Sequence, residues 1–192
     1  MSLAAFPYSL FSTKFKKMRI RYAEPGEAVL ELYRTRISEE FALFMQEEGF
    51  CTYLNGLFTT VNPLAYTKVM EAFGINSAMV VPLLKNGFGD VFFFEGVSIR
   101  LLLVSHNEKH VLGSSSDAVK MLFVMRITEA DFQNPFLKKK LFNQAVKLYG
   151  ALEPHESFGF IQPLWDGGKE KPENVVKVDS RNYLETLLPK ES

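Results

Sequence analysis

Cysteine is almost absent from this sequence, and histidine is scarce. The 192 residues include one cysteine, Cys51, and three histidines, His106, His110 and His155. A single cysteine can form neither an intramolecular disulfide nor a zinc site of several thiolates, and this usage is typical of a reducing compartment. The sequence therefore predicts a cytoplasmic protein, in which Cys51 is a small buried packing residue.

An excess of either charge is also lacking. Lys plus Arg and Asp plus Glu number 22 each, so no overall positive field would attract nucleic acid, and direct binding to nucleic acid is not expected. The uncharged run of residues 72–84 is shorter than the roughly 20 apolar residues that a membrane-spanning helix needs, and the longer uncharged run of residues 49–67 is interrupted by Asn55, Asn62 and Pro63. We expect neither a membrane span nor a secretory signal.

Catalytic and ligand-binding motifs are missing as well. No Ser or Cys stands in a nucleophile motif with a base and an orienting group. The segment 86–90 (NGFGD) lacks the third glycine of a phosphate cradle, and we interpret it as a turn capped by Asp90. His106 and His110 flank a hairpin tip, where a polar turn is favoured over a metal site with Glu108. The sequence predicts a non-enzyme without cofactor or metal, whose function is binding.

The composition that remains is that of a packed protein. Hydrophobic residues make up 47% and charged residues 23%, and 18 residues are Phe, which favours one globular domain. Basic and apolar residues alternate over 14–22, which predicts a half-exposed strand or extended arm, with a basic stripe for an acidic partner as the alternative. We therefore predict an N-terminal arm or edge segment over 1–23 and an α+β domain over 24–188.

Helix signals occur at several places. Ser38 is a predicted N-cap for a helix that ends at Gly49, and Asn62-Pro63 predicts the start of a second helix that Gly74 ends. Asn134-Pro135 predicts a third start, before a stripe of Leu137, Leu141, Ala145 and Leu148 that ends at Gly150, with Lys138, Lys139 and Lys140 largely outside. Residues 118–127 fit a helix or a strand. A closing helix is predicted to carry Tyr183, Leu184, Leu187 and Leu188.

Strand signals dominate the middle of the chain. Short apolar runs separated by turn residues predict an antiparallel meander; the runs cover residues 78–84, 91–94, 98–104 and 109–112. Further strands are predicted over 57–61 and 158–162. The order of elements predicts an α+β fold, a single domain in which helices pack on one face of an antiparallel meander sheet.

Two groups of motifs resemble known families over residues 24–188. The first resembles the bacterial GAD-like domain family and comprises Glu48-Gly49-Phe50, Tyr53, Asn55-Gly56-Leu57-Phe58, Val61-Asn62-Pro63, Tyr66 and Phe88-Gly89-Asp90-Val91-Phe92. The second resembles the C-terminal domain of type VI secretion immunity proteins that accompany DNase toxins. It comprises Asn134-Pro135-Phe136, Leu141-Phe142, Leu148-Tyr149-Gly150, Leu152, Gly159-Phe160, Pro163-Leu164 and Gly167-Gly168.

The resemblance implies a division of the domain into residues 24–112 and 113–188. It also implies structural roles for the motif residues Gly49, Gly56, Asn62, Pro63, Phe88, Gly89, Asp90, Gly150, Gly159, Phe160, Pro163, Gly167 and Gly168.

The function that the resemblance implies is that of an immunity protein. Such a protein neutralises a cognate toxin, here expected to be a DNase, by direct binding and occlusion. Two alternatives stay open: a regulatory or adaptor protein of the same fold family, and a small enzyme or ligand-binding module with a pocket near Asp90, His106 and His110.

A nuclease partner has a cationic cleft, so electrostatic complementarity predicts an acidic docking face on the immunity protein. The acidic pairs Glu39-Glu40 and Glu47-Glu48 are the candidates for this face. Trp165 is the candidate aromatic anchor, because exposed aromatic side chains often carry much of the binding energy at an interface.

Overall fold

The computed structural model describes residues 6–187. These residues contain eight α-helices: α1 (Phe6–Phe15), α2 (Glu27–Arg36), α3 (Glu39–Glu48), α4 (Thr67–Ala72), α5 (Ala118–Val124), α6 (Ala130–Phe136), α7 (Lys139–Tyr149) and α8 (Ser180–Leu187). They also contain nine strands: β1 (Arg19–Ala23), β2 (Phe50–Tyr53), β3 (Phe58–Thr60), β4 (Val80–Asn86), β5 (Val91–Glu95), β6 (Ser98–Leu103), β7 (Glu108–Ser114), β8 (Glu156–Phe160) and β9 (Val175–Asp179).

The main sheet has seven antiparallel strands whose spatial order, β1 to β7, follows their order in the chain. The predicted meander is therefore confirmed, and it extends further towards the N-terminus than the apolar runs indicated. Strands β8 and β9 form a separate antiparallel pair. No helix within residues 6–187 has the length and apolar character needed to cross a bilayer.

Alternate residues of β5 face two hydrophobic cores, as the two-residue repeat of a strand requires. Phe92 and Phe94 belong to the larger core, which is covered by residues of α1, α2, α3, α5, α6 and α7. Val91 and Phe93 belong to a smaller core beneath α4 and α8. The α+β fold is as predicted, with most helices on one face and a second, smaller helical layer on the other.

Helix α1 replaces the first part of the predicted N-terminal arm, whose residues 1–5 lie outside the described residues. Phe11 and Phe15 are four residues apart, so they share one helix face, and both are buried in the larger core. The Phe11 ring makes edge contacts with Phe44 and Phe123, at centroid distances of 5.8 and 5.3 Å. The alternation of basic and apolar residues becomes a strand only from Arg19 onward.

The first two predicted helix starts are confirmed at atomic detail. The Ser38 hydroxyl accepts a hydrogen bond from the Phe41 amide (3.1 Å), and α3 ends at Gly49. The Asn62 side chain accepts from the Leu64 amide (3.0 Å) at the start of a 3₁₀ turn that leads into α4. Residues 118–124, which fitted either a helix or a strand, form α5.

The third predicted helix start is wrong. Pro135 lies in the last turn of α6, and α7 begins only after Lys138, whose left-handed backbone (φ 50°) separates the two helices. Leu141 and Ala145 are buried as expected, but Leu148 is 61% exposed. Because Leu141, Ala145 and Leu148 share one face of α7, the exposure of Leu148 shows that the core ends before the last turn of this helix.

The C-terminal region contains one strand that the sequence did not predict, β9, which pairs with β8. The closing helix is confirmed as α8, with Tyr183, Leu184 and Leu187 buried, while Leu188 lies outside the described residues.

This region packs closely on the turns of the main sheet. A Cβ atom added at Gly56 would lie 2.6 Å from Leu152 Cβ, and one at Gly87 would lie 2.5 Å from the Phe142 ring. The Phe158 amide donates to the Gly87 carbonyl (2.7 Å). The domain boundaries proposed from the sequence stay a prediction, but residues on both sides of position 113 share the larger core.

Candidate functional site

A buried ion pair joins the β4–β5 hairpin to the junction between α6 and α7. Lys138 Nζ lies 2.9 Å from Asp90 Oδ2, and the exposed fractions of the two side chains are 8% and 0%. Burial lowers the pKa of Lys138, but Asp90 and then Glu170 outweigh it, and the pKa is raised overall. The pair therefore holds Lys138 in its charged form.

Hydrogen bonds complete the environment of the Asp90 carboxylate. The Val104 amide donates to Oδ1 (3.0 Å), and the Asn86 side-chain amide donates to Oδ2 (2.9 Å). Asn86 Oδ1 in turn accepts from the Phe88 and Asp90 amides. Asn86, rather than Asp90, caps the hairpin turn, which corrects the predicted role of Asp90: its carboxylate connects the hairpin to Val104, the residue after β6, and to Lys138.

A second buried lysine, Lys85, lies near the end of β4. Its ammonium group donates to the Glu156 carbonyl (2.7 Å), to Ser157 Oγ (3.1 Å) and to Ser180 Oγ (2.5 Å). Burial lowers the pKa of Lys85 to about 7, against the opposing effect of Asp179 and Glu156. Through these three hydrogen bonds, Lys85 links β4 to β8 and to the first residue of α8.

A lysine beside two serines can serve in nucleophilic catalysis, but the burial of this group argues against that role. The exposed fractions of Lys85, Ser157 and Ser180 are 3%, 0% and 7%. The three N–H donors of the ammonium group match the three acceptors, so none is left to bind a substrate. The cluster is a structural clamp between the sheet and the C-terminal region.

The histidines and the cysteine do not form a ligand site with Asp90. His110 Nε2 lies 3.0 Å from Glu108 Oε2 on the exposed strand β7, whereas Asp90 is fully buried. No group of three or more His, Cys, Asp or Glu side chains in residues 6–187 is arranged to hold a metal ion. Cys51 is buried, which raises its pKa, so the expected packing role is confirmed. Because Asp90 is fully buried, its carboxylate does not line an open pocket with the exposed His110.

An acidic network covers the exposed sides of α2, α3 and α5. Arg34 pairs with Glu27, Glu31 and Glu39. Lys120 pairs with Glu40 and Asp117. Because Glu39 and Glu40 are adjacent, the two groups form one network of five carboxylates and two cations, with a net charge of −3. We refer to these seven residues as the acidic network.

The four glutamates predicted for an acidic docking face separate in the structure. Glu39 and Glu40 belong to the acidic network, and Glu47 is exposed near the end of α3. Glu48 is only 3% exposed, and its carboxylate pairs with Arg19 and accepts from Ser12 Oγ (2.7 Å) and Tyr53 OH (2.9 Å). Glu48 is therefore an interior residue and is removed from the docking candidates.

Trp165 is 59% exposed and lies in the 3₁₀ turn Leu164–Asp166. Hydrogen bonds order the loop around it: Asn174 Nδ2 donates to the Gln162 carbonyl (2.9 Å), and Gln162 Nε2 donates to the Asp166 carbonyl (2.8 Å). An exposed aromatic ring on an ordered loop fits the anchor role predicted for Trp165, which stays a prediction.

The motif residues of the family resemblance lie at packing and turn positions. Phe88 stacks on Phe160 with ring centroids 5.5 Å apart, and a Cβ atom at Gly159 would lie 2.8 Å from the Tyr183 ring. The positive-φ glycines of this set are Gly49, Gly56, Gly89, Gly150 and Gly167. Pro163 precedes the turn that carries Trp165, and a Cβ atom at Gly168 would clash with the Gln162 carbonyl oxygen.

Sequence reasoning missed the buried charges. Lys138 was predicted on the outside of a helix, but the later start of α7 turns it inward. Lys85 follows an apolar run and belongs to the buried strand β4. A lysine at the end of such a run was the one sequence signal that could have indicated a buried charge. The partners of Glu48, which are Ser12 and Arg19, are distant from it in sequence. No local pattern could therefore have indicated these pairings.

Comparison with known families gives two matches along the chain. Residues 8–106 match the GAD-like domain. Residues 116–188 match the C-terminal domain of the T6SS immunity protein Tdi1. The two matches adjoin near β7, and together they span most of the residues that form the fold.

Comparison with solved structures shows the same fold elsewhere. The crystal structure of Atu4351 from Agrobacterium tumefaciens is similar with a TM-score of 0.78 and 20% sequence identity, covering 94% of this chain and 87% of that one. No curated protein sequence matches the chain.

Proposed function

The chain belongs to the GAD-like domain family, and on that premise we propose that it is a bacterial immunity protein that binds a cognate toxin and blocks its active site. The observation that carries the proposal is the match of residues 116–188 to the C-terminal domain of a type VI secretion immunity protein. Neutralisation by binding needs an exposed complementary surface rather than catalytic groups. The partner is a toxin of the same secretion system, and we propose that it is a DNase.

The acidic network supports a nuclease partner. A nuclease must attract the phosphate backbone of DNA, so its cleft carries positive charge. The acidic network, with five carboxylates against two cations, offers a group of opposite sign. Complementary fields of this kind raise association rates and select partners. Glu39 and Glu40 are the members of the network that we assign to the docking face, with Glu47 in the last turn of α3 as a further candidate.

Trp165 provides a second element of the proposed interface. Large exposed aromatic side chains are enriched among residues that contribute most of the binding energy, and an ordered loop loses little entropy on binding. Trp165 and Glu39 are therefore proposed to act differently: the carboxylate steers the encounter, and the indole slows dissociation.

Co-expression tests the proposal. The toxin encoded beside this gene is expressed in a susceptible bacterium with and without this chain, and survival and the integrity of chromosomal DNA are measured. We expect the toxin alone to degrade DNA and the chain to prevent this through a stable complex. The matched control is a toxin variant without its active-site residues, which should bind the chain but kill no cells.

The blocking mechanism has its own test. DNA binding by the inactive toxin is measured with and without the chain, and occlusion predicts that the complex loses DNA affinity. Full DNA binding in a stable complex would contradict occlusion while leaving the immunity role intact. Cells that die despite both proteins being present, together with no detectable complex, would contradict the immunity role itself.

A further inference from the structure

A cleft separates α4 from α8, the two helices that cover the smaller core. It encloses about 490 Å³, and all of its lining residues belong to the chain segment 65–73 or to α8. Within residues 6–187, α4 and α8 form no hydrogen bond or ion pair with each other. What the two helices share is the apolar core beneath them, which includes Phe93 and Leu102 of the main sheet.

The sequence of α4 leaves room beside α8. Ala65, Val69 and Ala72 are spaced by four and three residues, so they share one side of the helix and of the turn before it. Two of these three side chains are single methyl groups, which fill little of the space towards α8. Leucine, whose helix propensity is close to that of alanine, would close the cleft at either position.

The wall of the cleft is apolar. Phe73 and Leu184 belong to the smaller core and are 4% and 5% exposed, and Val69 packs against the same core. All three side chains line the cleft. A molecule in the cleft therefore contacts apolar groups of both helices, and the removal of this surface from water favours its binding.

The cleft also carries free positive charge. Its charged lining residues are Lys68 on α4 and Arg181 and Glu185 on α8. Within the described part of the chain, none of these three side chains forms an ion pair or a hydrogen bond. The lining thus offers one unpaired cation on each helix against a single carboxylate, and its net charge is positive.

Neighbouring charged residues do not reverse this balance. Lys109 adds a further cation beside the cleft, because its Nζ donates to the Phe73 carbonyl (3.4 Å). Glu71, the acidic residue of α4, does not line the cleft, and its carboxylate accepts a hydrogen bond from Ser77 Oγ (2.6 Å). An anion in the cleft would therefore be attracted by the charges around it.

We propose that the α4–α8 cleft binds a free small molecule that has an apolar chain or ring and one carboxylate, phosphate or sulfonate group. A cleft of this volume is within the usual range for small-molecule sites. The apolar part of the ligand would contact Val69, Phe73 and Leu184, and its anionic group would accept hydrogen bonds from Lys68 and Arg181. The inference goes beyond the proposed function, because no residue of the cleft belongs to the acidic network or to the loop with the exposed tryptophan.

Two soluble probes test the proposal on the full chain. Anilinonaphthalene sulfonate has an aromatic body and one sulfonate, and its fluorescence rises in an apolar site. Decanoate is a non-fluorescent competitor with a carboxylate. We expect saturable binding of the sulfonate at one site, displacement by decanoate, and displacement at least about tenfold weaker by decanol, which has a chain of the same length without the charge.

Two substitutions place the probe in the cleft. Ala72→Leu fills the cleft without changing its charge, and Arg181→Gln removes one of the two cations. The matched controls are Ala130→Leu at an exposed position of α6 and Lys147→Gln at an exposed position of α7, neither of which lines the cleft. Each cleft variant should weaken probe binding by at least about tenfold and each control by less than about twofold. Circular dichroism and unfolding midpoints verify that the variants are folded.

The remaining outcomes distinguish other occupants. Binding of the probe by the cleft variants as tightly as by the parent chain, or no saturable binding below about 1 mM, would overturn the proposal. Equal displacement by decanol and decanoate would contradict the anionic ligand. Sedimentation of the chain with phosphatidylglycerol vesicles, lost in Arg181→Gln, would identify a bilayer headgroup instead of a free molecule. Displacement of the probe by the inactive toxin would make the cleft part of the toxin interface, whereas unchanged toxin affinity in the presence of the probe supports a separate site.

Discussion

Lys138 Nζ lies 2.9 Å from Asp90 Oδ2, so the start of α7 and the β4–β5 hairpin are joined by an ion pair inside the protein. Removing only the cation, with Lys138→Met, leaves a buried carboxylate with hydrogen bonds from Asn86 and Val104 but no counter-charge. We expect a loss of about 3–5 kcal/mol in the free energy of unfolding, measured by urea denaturation.

Two controls separate the pair from lysine loss in general. Lys140→Met removes an exposed lysine and should change stability by less than about 0.5 kcal/mol. The double variant Asp90→Asn with Lys138→Met should lose less than the sum of the two single variants, because no unpaired charge remains. Additive effects would show that the two side chains act independently.

Lys85 predicts a pH dependence of stability. Its pKa is lowered from 10.5 to about 7 by burial, so the folded chain releases a proton near pH 7 that the unfolded chain keeps until about pH 10.5. Below pH 7 the lysine is charged in both states, and the cost of burying the charge is fully present. Between these limits the unfolded state binds more protons, so the contribution of Lys85 to stability increases with pH.

Comparison with Lys85→Met isolates this effect from other titrating groups. We expect the difference in unfolding free energy between the parent chain and the variant to shift in favour of the parent by roughly 2 kcal/mol from pH 7 to pH 9. Urea midpoints at four pH values measure it. A constant difference across this range would mean that Lys85 stays charged in the folded state.

Gly56 tests the packing between the hairpins and the C-terminal region. Gly56 has φ 93°, and a Cβ atom there would lie 2.6 Å from Leu152 Cβ, whereas Gly74 has φ 68° and nothing within 4 Å of the added atom. Alanine at either position bears a left-handed backbone cost of about 1–2 kcal/mol. Gly56→Ala should lose about 1–3 kcal/mol more because of overpacking. Equal unfolding midpoints for the two variants would contradict this packing.

The acidic network predicts how association depends on salt. The double variant Glu39→Gln and Glu40→Gln removes two negative charges from the proposed docking face, so its association rate with the inactive toxin should fall several-fold at low ionic strength. The rate should also depend less steeply on salt than that of the parent chain. Stopped-flow mixing at several salt concentrations measures both. The control, Glu173→Gln with Glu185→Gln, removes the same charge outside the network, and an equal effect there would exclude local steering.

Elements with strong local signals were predictable from the sequence. The Ser38 cap, the Asn62-Pro63 start and the meander each depend on residues that are close together in the chain, and the structure contains all of them. Helix α1 was missed because its face of Phe11 and Phe15 adjoins the alternating residues of β1, so two periods overlap.

Buried charges could not be predicted because their partners are distant in sequence. Asp90 and Lys138 are 48 residues apart, and Lys85 and Ser180 are 95 residues apart. The residues around each of these charges are not enough to indicate burial. Only the tertiary fold places the charges in the interior. The same reason explains why Glu48, which is adjacent to the exposed Glu47, is interior.

The close contacts across the join of the two matched regions have an evolutionary consequence. Recombination between two relatives at residues 107–115 would combine the β4–β5 hairpin with Asp90 from one parent and the α6–α7 junction with Lys138 from the other. It would also place Gly56 of one parent against residue 152 of the other. Such a hybrid preserves the buried ion pair and the close packing only if the two parents have compatible side chains at these positions. Sequence divergence is therefore expected mainly on the outer surfaces, while the two regions are inherited together.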